Sequence, residues 1–170
     1  MGKLNFSFCI LDGARMGDSI LKAMELNKNH DSLYRGRSEE KLYRVAPYVF
    51  TCEGQEEFVK WLLESGWGMS WMILFESERM MSDVHRHFRK FLVVKTEEGK
   101  ELYFRFYDPR VLKIFLPTCD NTQILEFFGP IRNFFVEGDT KDEVIQLWQE
   151  NGLLRQKTMD FGKMLNEISG

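Results

Sequence analysis

Between Gly68 and Glu76 the chain runs Met69-Ser70-Trp71-Met72-Ile73-Leu74-Phe75, an apolar stretch in which Ser70 is the single polar member. A strand with one wet face alternates apolar and polar residues, so a run without alternation predicts a strand covered on both sides. That requirement selects a layered fold, with a sheet in the middle and helices above and below it. Phe6 to Leu11, closed by Asp12-Gly13, is a second run of the same kind and predicts another buried strand feeding a turn. With 170 residues, 44% hydrophobic and 29% charged, the chain suits one packed globular domain and neither a disordered nor a fibrous one.

Helical spacing supplies the flanking layers. Ile20, Leu21, Met24 and Leu26 follow Asp18 and Ser19, either of which can cap a helix that ends in the polar stretch Asn27 to Asp31. Phe58, Trp61, Leu62 and Leu63 mark Gln55 to Ser65 as a short amphipathic helix stopped near Gly66, and Val84, Phe88 and Phe91 mark Ser82 to Phe91 as another. Tyr48 to Thr51, after Pro47, has strand composition. Leu92 to Lys95 and Leu102 to Tyr107 read as a hairpin, with Leu102, Phe104 and Phe106 on one face and Tyr103, Arg105 and Tyr107 on the other. Pro109 to Leu116 and Asn121 to Phe128 are short helices, Asn133 to Glu137 is a last strand, and Val144, Leu147 and Trp148 share one side of a C-terminal helix capped by Asp139 or Thr140. The expected fold class is α/β: a mixed, partly antiparallel sheet flanked by helices, in one domain over residues 6–137, with a helical extension over 138–170 packed on or next to it.

The net charge of −3 removes the general electrostatic case for nucleic-acid binding. Charge is unevenly placed, however: from Arg79 to Lys113 there are nine basic and five acidic residues, a local excess of +4. A basic middle in an acidic chain suits either a solvated helix face or a site for an acidic partner. Aromatic residues make up 14% of the chain, a surplus of the kind found at interfaces. Cys9, Cys52 and Cys119 are widely spaced and odd in number, as expected of reduced thiols in the cytoplasm. The apolar run after Lys3 is too short for a signal-peptide core or a membrane span, so export and membrane insertion are not expected.

Catalytic patterns are weak. His85 and His87 are two residues apart in a predicted helix, which sets them about 200° apart and leaves no shared third ligand, so no metal is assigned; His30 reads as solvent-facing. Gly68-Met69-Ser70-Trp71-Met72 has the outline of a nucleophile elbow, but Met72 replaces the closing glycine and the serine begins a strand. Glu98-Gly99-Lys100 with Asp83 has the residue types of a metal-dependent nuclease, yet fills a hairpin turn where such residues are expected. Arg86, Arg89 and Lys90 fan across the outward side of their helix. Arg105, between Tyr103 and Tyr107 and followed by Asp108 and Arg110, can either form a structural Arg105–Asp108 turn pair or meet a partner's carboxylate. Candidate partner contacts are therefore Arg86, Arg89, Tyr103, Arg105, Tyr107, Arg110 and Trp148.

The order of several segments resembles one family. Phe8-Cys9-Ile10-Leu11-Asp12-Gly13-Ala14, Ala46-Pro47-Tyr48, the Trp71 to Ser77 strand, His87-Phe88-Arg89-Lys90-Phe91-Leu92, Phe104-Arg105-Phe106-Tyr107-Asp108-Pro109-Arg110-Val111-Leu112, Leu116-Pro117-Thr118 and Phe127-Phe128-Gly129-Pro130 carry the resemblance. It is to the domain of unknown function found in effector adaptors, also called effector chaperones, of bacterial type VI secretion, and it runs from about Phe6 to Glu137. The resemblance implies a non-enzymatic cytoplasmic protein, without cofactor, that binds a toxic effector and helps load it on the secretion spike or its tip protein. Lys90 departs from the family's frequent second arginine, and the short segment after Glu137 leaves little room for the larger C-terminal lobe of some relatives. Two rivals stand beside it: a metal-dependent nuclease or hydrolase using His85, His87, Asp83 or Asp108, and a local nucleic-acid binder using the Arg79 to Lys113 region.

Overall fold

The computed structural model describes residues 6–169, so Lys3 lies outside the described residues. In chain order the first half holds β1 (Phe8–Asp12), α1 (Gly13–Met16), α2 (Ser19–Leu26), β2 (His30–Ser32), α3 (Arg37–Leu42), β3 (Pro47–Thr51), α4 (Glu56–Gly66) and β4 (Met72–Glu76). The second half holds α5 (Met81–Arg89), β5 (Val93–Lys95), β6 (Glu101–Tyr103), α6 (Pro109–Phe115), which tightens into a 3-10 turn at Leu116–Thr118, then α7 (Asn121–Phe128), β7 (Asn133–Glu137), β8 (Glu143–Glu150), β9 (Leu153–Asp160) and α8 (Phe161–Ser169).

Seven strands make one sheet in the order β2-β3-β1-β4-β7-β8-β9, and β5 pairs with β6 alone. The unalternating runs take the central places. Cys9, Ile10 and Leu11 of β1 and Met72 to Phe75 of β4 are completely buried because both faces of these strands are covered. On one face Cys9, Leu11, Met72 and Leu74 pack under Ile20 and Ala23 of α2, Phe58 and Leu62 of α4 and Met164 of α8. On the other, Ile10, Ile73, Phe75 and Phe134 pack under Val84 and Phe88 of α5, Leu112 of α6 and Phe127 and Phe128 of α7. Burying each such side chain stabilises the fold by about 1.5–3 kcal/mol, which is why two apolar layers hold a sheet this wide.

The α/β class with a helix-flanked sheet is what the chain adopts, and its antiparallel content goes beyond the one hairpin that required it. Every ladder among the described residues is antiparallel. Interleaved helices do not make parallel neighbours here because β3 and β4, joined by α4, lie on opposite sides of β1 and each pairs with it.

Three local expectations are corrected. Glu143 to Glu150 is a strand, not a helix: Val144 lies on the α2–α4 face and Leu147 on the opposite one, in register with β7. The turn into β9 is Asn151-Gly152, with φ of 52° and 80°, the mirror-image hairpin turn that Asn-Gly favours. Second, β6 stops at Tyr103, so the alternation does not continue through Tyr107. Leu102 is exposed, whereas Phe106 turns inward and stacks on Phe88 with centroids 5.3 Å apart. Third, His30 belongs to β2 and is half-buried, its Nδ1 2.8 Å from the Asn27 carbonyl and its ring 4.9 Å from that of Phe50.

Candidate partner-binding surface

The segment after β6 is held by two acidic side chains that come from different places. Asp12 ends β1 and is fully buried; one carboxylate oxygen accepts the Arg15 amide at 3.2 Å and the other accepts the Arg105 guanidinium. Asp108 caps α6 by accepting the Arg110 amide at 2.9 Å, and the Arg110 guanidinium reaches back to both its oxygens at 3.1 and 2.7 Å. The fork therefore joins Asp108 to Arg110, and Arg105 is paired with Asp12 instead of with Asp108. Burial pushes the Asp108 carboxyl up, but Arg110 and its capping bond outweigh that and hold it below its usual range. Burial works against the Arg105 charge, and Asp12 more than compensates, raising its pKa.

Tyrosines close over this cluster. Tyr107 is buried, and burial together with Tyr34 and Asp12 drives its hydroxyl far above the usual range. Tyr34 packs against Tyr103 with ring centroids 5.6 Å apart and the planes tilted by 52°, and Tyr103 is 57% exposed. Arg105 keeps 43% of its side chain in solvent. Of the tyrosines singled out in the sequence, Tyr103 is thus available to a partner and Tyr107 is a packing residue. Val93, Val94 and Leu102 are exposed beside Tyr103, so the β5–β6 hairpin offers apolar area on a ribbon too short to bury it.

Arginines of α5 supply further exposed charge. Arg86 is 75% exposed and lies 3.4 Å from Asp83; with Arg89, Arg35, Asp31, Ser82 and His85 it lines an open depression of about 310 Å3. Arg35 forks onto Asp31 at 2.9 and 2.7 Å, which together with nearby His85 outweighs the effect of burial and lowers the Asp31 pKa. The two α5 histidines point apart, each to a main-chain carbonyl: His85 Nε2 is 2.6 Å from Ser32 of β2 and His87 Nε2 is 2.7 Å from Phe127 of α7. Both histidines are buried, and burial lowers the His87 pKa. Both fasten α5 across the sheet. Gly129 is part of that fit, since a Cβ there would lie 2.5 Å from the His87 ring.

Other marked residues lie elsewhere. Trp148 is on β8, with β3, β1, β4 and β7 between it and the β2 edge, and its Nε1 donates to Glu150 at 3.1 Å. Ser70 sits at φ 58°; its amide and that of Gly68 donate to the buried Glu137 carboxylate at 3.1 and 2.9 Å, so this turn grips an internal acid. Glu98-Gly99-Lys100 is an exposed turn between β5 and β6, and Asp83 lies in α5. No group of three or more His, Cys, Asp or Glu among the described residues is arranged to hold a metal ion, and no described helix is long and apolar enough to cross a membrane. Asp12 and Tyr34 were missed as parts of the cluster. Asp12 had a signal, an acid closing an apolar strand.

No curated protein and no solved structure matches this chain. One family model does, described as Domain of unknown function (DUF4123), over residues 7–126. That span begins at β1 and ends within α7, short of the Glu137 limit read from the sequence, and takes in Asp12, Tyr34, Arg86, Arg89 and the whole Tyr103 to Arg110 segment while leaving out Trp148. By a match covering more than half its length, the chain belongs to the DUF4123 family, a domain associated with type VI secretion effector adaptors.

Proposed function

We propose that this protein is a non-catalytic adaptor that binds a type VI secretion effector in the bacterial cytoplasm and helps load it on the spike or its tip protein before export. The family match over residues 7–126 carries this reading. The surface agrees with it: the β5–β6 hairpin and Tyr103 expose apolar area, and Arg86, Arg89 and the outer part of Arg105 expose cations. The histidines a hydrolase would use each lie against a main-chain carbonyl, His85 at Ser32 and His87 at Phe127.

Tagged protein incubated with the effector and spike proteins encoded beside its gene should retain the effector through a wash at moderate salt. Recovery of neither protein overturns the reading. Exchanging Tyr103 for Ala should reduce effector retention while leaving the melting temperature nearly unchanged, because the ring is more exposed than buried.

A further inference from the structure

Depressions on this surface differ in charge. The groove between β9 and α8 sets Lys157 and Lys163 against Asp160 and Glu167, and so balances. Between β2 and α5, three guanidinium groups, those of Arg35, Arg86 and Arg89, face one carboxylate, Asp31, which leaves an excess of +2. Both Asp31 oxygens are already taken by the Arg35 fork at 2.9 and 2.7 Å. Asp83 offsets part of the excess through its 3.4 Å contact with Arg86, without lining the depression. The ion pairs of this region among the described residues are Arg35 with Asp31, His85 with Asp31 and Arg86 with Asp83, and none of them involves Arg89.

Helix geometry gathers hydrogen-bond donors at this place. Ser82, Arg86 and Arg89 stand at i, i+4 and i+7 of α5, on one face. Long helical side chains lean toward the N-terminal end of their helix, which carries both guanidinium groups back toward the Ser82 hydroxyl. Arg86 shows that lean, since it reaches Asp83, one turn earlier. His85 adds a fixed wall: it is buried, with Nε2 2.6 Å from the Ser32 carbonyl and 3.6 Å from Asp31. Every residue lining the depression is polar or charged, so an apolar anchor has nothing to bury against there.

We infer that this depression binds a phosphoryl group, with Arg86 and Arg89 donating to its oxygens and Ser82 donating its hydroxyl. A phosphate monoester carries a charge of about −1.5 to −2 at neutral pH and has three strong acceptor oxygens, which matches both the excess charge and the three converging donor groups. A single carboxylate brings about half that charge and only two oxygens, a match for one arginine fork and not for two with a hydroxyl beside them. The inference goes beyond the adaptor reading and does not depend on it. The phosphoryl group can arrive as the free ion or on a phosphorylated side chain of a partner, and the experiment separates these two sources.

The full chain is titrated at fixed ionic strength with inorganic phosphate replacing chloride, and in a parallel series with acetate replacing chloride, while backbone amide signals and the melting temperature are read. Phosphate should move the signals of residues 82–89 and raise the melting temperature, as binding to the folded state requires, and acetate at the same concentration should do neither. Arg86→Ala and Arg89→Ala should each weaken phosphate binding about tenfold, the loss expected for one charge-assisted hydrogen-bonding partner, and Ser82→Ala by less. Both arginines are exposed, so these variants keep the fold, which their own melting temperatures check. A short Gly-Ala peptide carrying one phosphoserine, set against its glutamate twin, separates the sources: binding tighter than that of the free ion assigns a phosphorylated side chain, and equal or weaker binding assigns the free ion. Phosphate effects no larger than those of acetate, undiminished binding in the arginine variants, or a glutamate twin that binds as well as the phosphoserine peptide would overturn the inference. Phosphate binding by a chain that captures no effector sinks the adaptor reading alone, and effector capture by a chain that binds no phosphate sinks the phosphoryl site alone.

Discussion

Two sets of arginines lie within 25 residues of each other in sequence and face opposite demands. Arg105 and Arg110 neutralise carboxylates that the fold has taken out of water, Asp12 fully and Asp108 almost so. Arg86 and Arg89 stand on the solvent side of α5 above a depression. A charge partnered to a buried acid is bound to stability, because removing it leaves the acid desolvated and alone. An exposed charge contributes little to folding and is free to act on something outside the molecule. The same residue type thus marks scaffold in one region and candidate interface in the other, and the difference is set by what lies beneath it.

The sharpest way to break this contrast is Arg105→Leu. It removes the cation facing Asp12, so the loss should fall near the lower end of the about 3–5 kcal/mol seen when a buried pair loses one partner, since Arg105 keeps 43% of its side chain in solvent. Urea unfolding of Arg105→Leu, Asp12→Asn and the double variant measures the pair directly. The double variant should be more stable than the sum of the two single losses implies. A single-variant loss under about 0.5 kcal/mol, the range of ordinary surface substitutions, would put Arg105 with the α5 arginines.

Asp108 comes next in size. Asp108→Ala loses the α6 cap and frees the Arg110 fork, which should cost about 1–2 kcal/mol near neutral pH. Asp108→Asn can still cap, so the gap between the two variants isolates the charge. Because folding lowers the Asp108 pKa below its ordinary 3.8, its stabilisation is complete above that value and is lost as pH falls through the folded value. Stability measured across that acidic window should therefore fall less steeply in Asp108→Asn than in the wild type. An unchanged slope would show that the fork does not hold the acid ionised.

Much of the fold was legible because local pattern and burial agreed. The run ending in Phe75 had to be a doubly covered strand, and the stripe of Val84 and Phe88 marked the helix that covers one side of it. The C-terminal hairpin was not legible from spacing alone, since Val144, Leu147 and Trp148 satisfy a helical stripe while Asn151-Gly152 carried the competing turn signal. Arg105 shows the other limit. Its neighbour Asp108 has both oxygens turned by the capping geometry toward Arg110, while its true partner Asp12 is 93 residues away and is brought near only by the sheet. The buried place of His85 likewise depended on β2, a strand of three residues that leaves no periodic trace.

The smallest effect on stability belongs to the arginines most exposed. Arg86→Ala with Arg89→Ala removes two cations from the last turn of α5, where they favour the helix dipole, and one weak contact to Asp83; together this should cost under about 1 kcal/mol. The same pair of changes should lower the association rate with an acidic effector, and the deficit should shrink as salt rises, because exposed charges steer encounters through a screened field. Stopped-flow association at low and high salt, with melting temperatures measured in parallel, separates the two quantities. Rates that match the wild type at every salt concentration would leave the α5 arginines as solvation alone and move the search for the contact surface to the exposed Val93, Val94, Leu102 and Tyr103 of the β5–β6 hairpin, where burial of apolar area and not charge would be the driving force.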